Sequence, residues 1–185
     1  NGLMIDAMAS AAGALGEPRY LAAAQKAADF ILTKLRKPDG RLLHAYRHGQ
    51  AKFDGYLDDY ACLANALVSL YEADFDARWI NEAGALCDVM LERFSDKTSG
   101  GFFYTADDHE ELIARNKDVY DNATPSGTGM ALTVLVRLGK LTGIEKYAAA
   151  AERGLKSLGD LFERAPTAVG QSMLALDLWL GPTQE

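Results

Sequence analysis

Residues 57–97 read LDDYACLANALVSLYEADFDARWINEAGALCDVMLERFSDK, and the two halves of this stretch are different kinds of helix. From Leu57 to Ala73 the residues beyond the first turn are mostly apolar, whereas Ala77 to Lys97 is amphipathic, with charges at Arg78, Glu82, Asp88, Glu92 and Arg93. A helix apolar on nearly every side must be covered on nearly every side; a helix with a single apolar stripe needs cover on one side only. The first half is therefore expected in an inner layer and the second in an outer layer. The short turn Asp74-Phe75-Asp76 joins them as an antiparallel hairpin.

The same pair recurs on both sides. Leu3 to Leu15 carries the single charge Asp6 and precedes the amphipathic run Arg19 to Lys37, with Pro18 suited to the first turn of that helix. Ser126 to Leu141 has only Arg137 and Lys140 as charges, and Ile144 to Arg164 then carries many. Hairpins are thus predicted over 3–37, 57–97 and 126–164, with a further helix over 167–180. Laying the outer helices over one another matches Tyr20 with Trp79 and Tyr147, Ala24 with Ala83 and Ala151, and Leu35 with Phe94 and Phe162. The loops between hairpins are unequal, which argues against a solenoid of constant period. The predicted fold class is mainly α: an α/α toroid of the six-hairpin type, of which residues 1–185 form a partial domain of about three and a half hairpins. The opening on Asn1-Gly2 at a buried helix and the finish on Gly181-Pro182 both read as cuts through a larger ring.

Composition narrows the function. With 49% hydrophobic and 24% charged residues the chain can bury a core, and a net charge of -7, scattered along the sequence, gives no basic cluster for phosphate backbones. Nucleic acid is not an expected partner. Apolar runs such as Met130 to Leu135 are too short for a bilayer, so no membrane role is expected either. Cys62 and Cys87 lie inside apolar helical patterns without metal-ligand spacing; two reduced core thiols, no metal and a cytoplasmic setting are expected. No nucleophile motif, P-loop or dinucleotide fingerprint is present, so no cofactor is expected.

Chemistry is expected at one end. Because the hairpins alternate direction, the long loops Pro38 to Tyr56 and Asp96 to Pro125 emerge together where the inner helices begin, beside the positive ends of their dipoles. In the first loop, the alternation from Arg41 to Arg47 suggests a strand pairing with Ala51-Lys52-Phe53, with His44, Tyr46 and His48 on one face and Arg47 on the other. That ribbon either faces a ligand or is simply solvated. At Tyr56-Leu57-Asp58-Asp59-Tyr60 one carboxylate is expected to cap the helix and the other to point inward as an acid, base or sugar-hydroxyl acceptor; the latter role requires a second carboxylate opposite it.

In the second loop, Gly100-Gly101-Phe102-Phe103-Tyr104-Thr105 looks like a glycine turn feeding an aromatic strand, with one Phe in the core and the other free to stack on a sugar. Arg115, Lys117, Asp118, Tyr120, Asp121 and Asn122 form either a site wall or a loop tied by Asx turns, and Ser126 is placed to cap the third inner helix. His109, among Asp107, Asp108, Glu110 and Glu111, is expected to face solvent.

Four stretches carry a resemblance: Asn1-Gly2-Leu3-Met4-Ile5, Leu57-Asp58-Asp59-Tyr60-Ala61, Gly100 to Thr105, and Ala123-Thr124-Pro125-Ser126-Gly127 ahead of Leu135-Val136-Arg137-Leu138. Together they resemble the C-terminal part of the thioredoxin-domain-containing family that includes spermatogenesis-associated protein 20 and its bacterial relatives. The resemblance implies a parent chain in which a thioredoxin-like domain precedes a six-hairpin toroid similar to N-acylglucosamine 2-epimerases and six-hairpin glycosidases. It supplies no catalytic residues, and Thr128-Gly129 departs from the Asn that often follows Pro-Ser-Gly in the family.

Two functions follow as expectations. One is a carbohydrate-active or carbohydrate-binding toroid, epimerase-like or hydrolase-like. It would use Asp58 or Asp59 as acid or base, Tyr46, Tyr56 and Phe103 as a stacking wall, Arg47 and Arg115 as donors, and His44 and Asp121 as further substrate contacts. The other is a non-catalytic scaffold serving the thioredoxin-like domain of the same parent chain.

Overall fold

The computed structural model describes residues 1–109 and 114–182, and Glu110 and Glu111 lie outside the described residues. Helices α1 (Gly2–Leu15), α3 (Leu57–Asp74), α5 (Gly127–Thr142) and α8 (Gly170–Leu180) stand side by side as the inner layer; α1 packs on α3, α3 on α5 and α5 on α8. The outer helices α2 (Pro18–Lys34), α4 (Ala77–Arg93) and α6 (Glu145–Ser157) lie against α1, α3 and α5 respectively. Burial follows the predicted division. From Leu63 to Leu70 on α3 every residue is buried, while α4 buries one stripe of Trp79, Ala83, Leu86, Cys87 and Met90. Among the described residues no helix is long and apolar enough to cross a membrane.

Short turns close each hairpin in the same way. Gly16, Phe75 and Gly143 take φ of 63°, 58° and 66° at the C-caps of α1, α3 and α5, the left-handed region that lets a helix reverse within a few residues. In the middle one of these turns the Asp76 side chain accepts from the Arg78 N–H at 2.9 Å to start α4. At the opposite end Ser126 Oγ accepts from the Gly129 N–H at 3.1 Å to start α5, as predicted.

The outer helices end earlier than the sequence suggests. Leu35 and Phe94 are buried anchors that turn the chain out of α2 and α4, and the residues after them form the single antiparallel bridges Arg36 to Leu42 and Ser95 to Phe102. The aromatic strand expected at 102–105 is reduced to that one bridge. Gly100 and Gly101, at φ 79° and 73°, turn the chain so that Phe102 is buried while Tyr104 N–H donates to the Asn116 carbonyl at 2.7 Å. The predicted helix 144–164 is likewise two pieces, α6 and α7 (Gly159–Arg164), because Ser157 Oγ donates to the Gly154 carbonyl at 2.7 Å and Gly159 follows. Before α8, Pro166–Ala168 makes a 3-10 turn, so that helix starts at Gly170 and not at Thr167.

Candidate functional site

The first long loop folds as the predicted hairpin, β1 (Leu43–Arg47) against β2 (Gln50–Asp54), in the register Ala45 to Lys52 and Tyr46 to Ala51. His48 and Gly49, at φ 51° and 79°, form the two-residue turn whose twist suits an antiparallel pair. His48 is therefore in the turn and not on the strand face with His44 and Tyr46. The hairpin lies beside the start of α3 and forms one wall of a cleft of about 860 Å³. The other walls come from α2, the first residues of α1, the first turns of α3, and Thr124-Pro125 ahead of α5. The cleft thus opens where inner helices begin.

Four predicted residues meet there: His44, Tyr46, Asp58 and Asp59. Asp59 is the cap, its Oδ2 accepting from the Tyr56 N–H at 2.9 Å. The same oxygen lies 2.8 Å from His44 Nδ1. A carboxylate only accepts, so Nδ1 carries a proton and Nε2 is the nitrogen turned to other partners. Asp58 has the other fate. Its Oδ1 accepts from the Asp59 N–H at 3.1 Å, and burial, followed by the charge of Asp59, holds its carboxyl above the ordinary range.

Aromatic rings flank this corner: Tyr46 and Phe30 line the cleft, whereas Tyr56, expected in the stacking wall, stands beside it with Tyr104. Tyr56 stacks on Tyr104 with centroids 4.9 Å apart and meets the edge of His44 at 5.3 Å, while Tyr46 stands edge-to-face with Phe30 of α2 at 5.2 Å. Tyr104 is pushed up to about 12 by burial and by the Asp58 and Asp59 charges. His109 tilts over Tyr56 at 5.4 Å, which places it on the site's edge and not free in solvent. Cys62, expected in the core, lies half-buried on the cleft one turn beyond Asp58. Burial and then the Asp58 charge push its thiol up to about 12, which disfavours the thiolate.

The remaining predicted residues are elsewhere. Phe103 is covered by Arg115, whose guanidinium carbon is 4.2 Å from the ring centroid, and Arg115 Nη2 donates to the carbonyls of Thr105 and Arg93, so both serve the loop and not the cleft. Asp121 is a staple: Oδ1 accepts from the Ser126 N–H at 2.8 Å and Oδ2 from the Gln171 N–H at 2.7 Å, tying the starts of α5 and α8. Asp118 accepts from the Gly127 N–H at 3.3 Å in the same manner. Arg47 is exposed and does not line the cleft. Tyr104, Phe30 and Cys62 were not among the expected site residues. Tyr104 is next to Phe103, but in a segment that is not a strand the alternation of faces gives no guide to which ring turns inward.

Across 95% of its length the chain is 29% identical to spermatogenesis-associated protein 20 of Homo sapiens and 30% identical to that of Rattus norvegicus. It is homologous to part of spermatogenesis-associated protein 20. The chain spans 24% of the length of each of these relatives. No family model matches it. Among solved structures it is similar to cellobiose 2-epimerase from Spirochaeta thermophila (TM-score 0.69, 19% identical, 88% of this chain and 42% of that one). It is also similar to a GH76 alpha-mannanase from Bacteroides thetaiotaomicron (TM-score 0.66, 18% identical, 84% and 42%). Both are α/α toroids, so the arc of hairpins is toroid-like, and the fold carries no reaction with it.

Proposed function

We propose that the cleft at the start of α3 is part of a carbohydrate site, and that its chemistry is proton transfer on a bound sugar. The observation that carries this reading is the arrangement of His44, Asp59 and Asp58: an imidazole fixed by one carboxylate, beside a second carboxyl held toward its protonated form. Tyr46, which lines the cleft, supplies a ring of the kind that sugars stack on. The likeness to carbohydrate-active toroids supports the substrate class.

Hydrolysis is the less favoured chemistry. Cleaving a glycosidic bond usually takes two carboxyls on opposite sides of it, roughly 5–10 Å apart. The carboxylates on the cleft are sequence neighbours in one helical turn, and Asp59 is already held by His44 and Tyr56. A base and an acid on one side suit enolisation, in which His44 takes the proton next to a sugar carbonyl while a carboxyl protonates the carbonyl oxygen; inversion of that carbon would also take a proton donor on the opposite face of the sugar.

The test uses the longer parent polypeptide in deuterated water, with cellobiose and mannose as probes and deuterium at the sugar C2 followed by NMR. Exchange is expected, with a loss on the order of 100-fold or more in His44→Gln. Release of new reducing ends from cellobiose without exchange would make it a hydrolase. Absence of exchange, of turnover and of sugar binding, with Asp58→Asn and His44→Gln indistinguishable from the parent, would remove the carbohydrate reading and leave a scaffold.

A further inference from the structure

At the end of the molecule opposite the cleft, each of the three short turns holds a large apolar side chain in water. Leu15 is exposed beside the α1–α2 turn, Phe75 in the α3–α4 turn, and Leu141 and Ile144 at the α5–α6 turn. Because α1 packs on α3 and α3 on α5, the three turns form one row in that order. A scattered exposed leucine is ordinary on a protein surface; one at every turn of a row is a surface of its own.

Phe75 is the informative member. It caps α3 in the left-handed region, at φ 58°, and at the matching positions of the other two turns stand Gly16 and Gly143. A bulky residue is held there against its backbone preference. Its ring is 76% exposed and has only an edge contact with Tyr71, the centroids 6.1 Å apart. The hairpin by itself would be better served by glycine. A strained backbone that presents an aromatic ring to water points to a contact outside the chain.

The charges along the row indicate what makes that contact. At the α1–α2 turn the Arg19 side chain is 73% exposed, and among the described residues its ion pair is with its neighbour Glu17 at 3.3 Å, an exposed pairing worth little. At the α5–α6 turn Glu145 is exposed and makes no ion pair among the described residues, its neighbour Lys146 being taken by Asp88 at 2.6 Å. In the middle turn the charges are engaged: Asp74 accepts from Gln25 and Trp79, and Asp76 caps α4 and pairs with Arg78. The row thus has an available cation at one end, apolar side chains along it and an available anion at the other end.

We propose that this end docks a second copy of the protein about a twofold axis that crosses the row at Phe75. Such an axis reverses the row. Phe75 meets Phe75 of the other copy, Leu15 meets Leu141 and Ile144, and Arg19 meets Glu145, each of the last two contacts being made twice. A row whose two halves complement each other in this way is satisfied by its own copy. Both clefts stay open at the far ends of the pair, so the inference does not rest on the carbohydrate reading.

The test is sedimentation velocity on the longer parent polypeptide from about 1 to 100 µM, where a concentration-dependent dimer is expected. Phe75→Gly suits the left-handed backbone and is expected to keep the parent's helix content by circular dichroism while weakening the dimer at least ~10-fold. Phe53→Ser, at an equally exposed ring on the cleft end, is expected to leave it within about twofold. Arg19→Glu and Glu145→Arg each set like charges against each other and are expected to weaken the dimer at least ~5-fold; mixed in equal amounts they should associate again as mixed pairs. A protein monomeric throughout overturns the proposal. So does a dimer indifferent to Phe75→Gly, one as sensitive to Phe53→Ser, or a pair of charge variants that fail to restore each other.

Discussion

Asp58 and Asp59 are adjacent in sequence and opposite in circumstance. Asp59 accepts from a backbone N–H and from His44, whereas Asp58, half-buried beside it, accepts from the Asp59 N–H and has its carboxyl raised by burial and by that neighbouring charge. A carboxyl raised in the folded state contributes stability that is fully present below its unfolded value and is lost as pH rises through the folded one, so ionised Asp58 opposes folding at neutral pH. Asp58→Asn keeps an acceptor oxygen for the Asp59 N–H and removes the charge. Its melting temperature at pH 7 is expected to exceed the parent's by roughly 2 °C, with the gap closing as pH falls toward 4. A gap independent of pH would show that the charge is not the cause. The sequence limited the cap to one of these two residues; choosing between them took His44, which reaches Asp59 from β1 through a hairpin whose docking no spacing rule reports.

At the scale of elements, the hairpins were legible because the contrast between α3 and α4 is a contrast of burial, and burial is what hydropathy records. Where the outer helices stop was not legible. Lys34 and Arg93 end α2 and α4 because Leu35 and Phe94 turn into the core, a tertiary demand that overrides residues fit to continue a helix. The loop roles of Arg115 and Asp121 were hidden for a related reason: a polar side chain that bonds backbone looks, in sequence, the same as one that waits for a ligand. The glycine turns make the element-scale prediction. A Cβ on Gly100, at φ 79°, would stand 2.9 Å from the Arg153 carbonyl oxygen of α6, whereas one on Gly16, at φ 63°, would meet nothing within 4 Å. Gly16→Ala should therefore cost about 1 kcal/mol for the left-handed backbone alone. Gly100→Ala adds a clash against backbone and should cost about 3 kcal/mol, a fall on the order of 8 °C in melting temperature. Equal losses in calorimetry would mean that the turn does not bear on α6.

The whole arc is held in phase by a polar network through its inner layer. Asp6 of α1 accepts from Asn65 Nδ2 at 3.1 Å and from the Ser69 hydroxyl, and Arg137 of α5 donates to the Asn65 side chain, to Ser69 at 3.1 Å and to Glu72 at 2.7 Å. Three inner helices thus share one set of hydrogen bonds on a face where apolar packing alone would tolerate sliding by a turn. The contributions are unequal. The Glu72 side chain is 50% exposed, so its pairing with Arg137 is screened and worth little, while Asn65 and Ser69 are buried and lose a partner outright if the guanidinium goes. Arg137→Met fills the same space without the donors and is expected to lower unfolding free energy by about 2 kcal/mol in urea titration. If the network acts as a unit, Asp6→Ala should cost less in the Arg137→Met background than alone, with a coupling of at least ~0.5 kcal/mol, because Asn65 and Ser69 will already have lost their fixed orientation. Strict additivity of the two substitutions would reduce the network to separate contacts and leave the phase of the inner helices to packing.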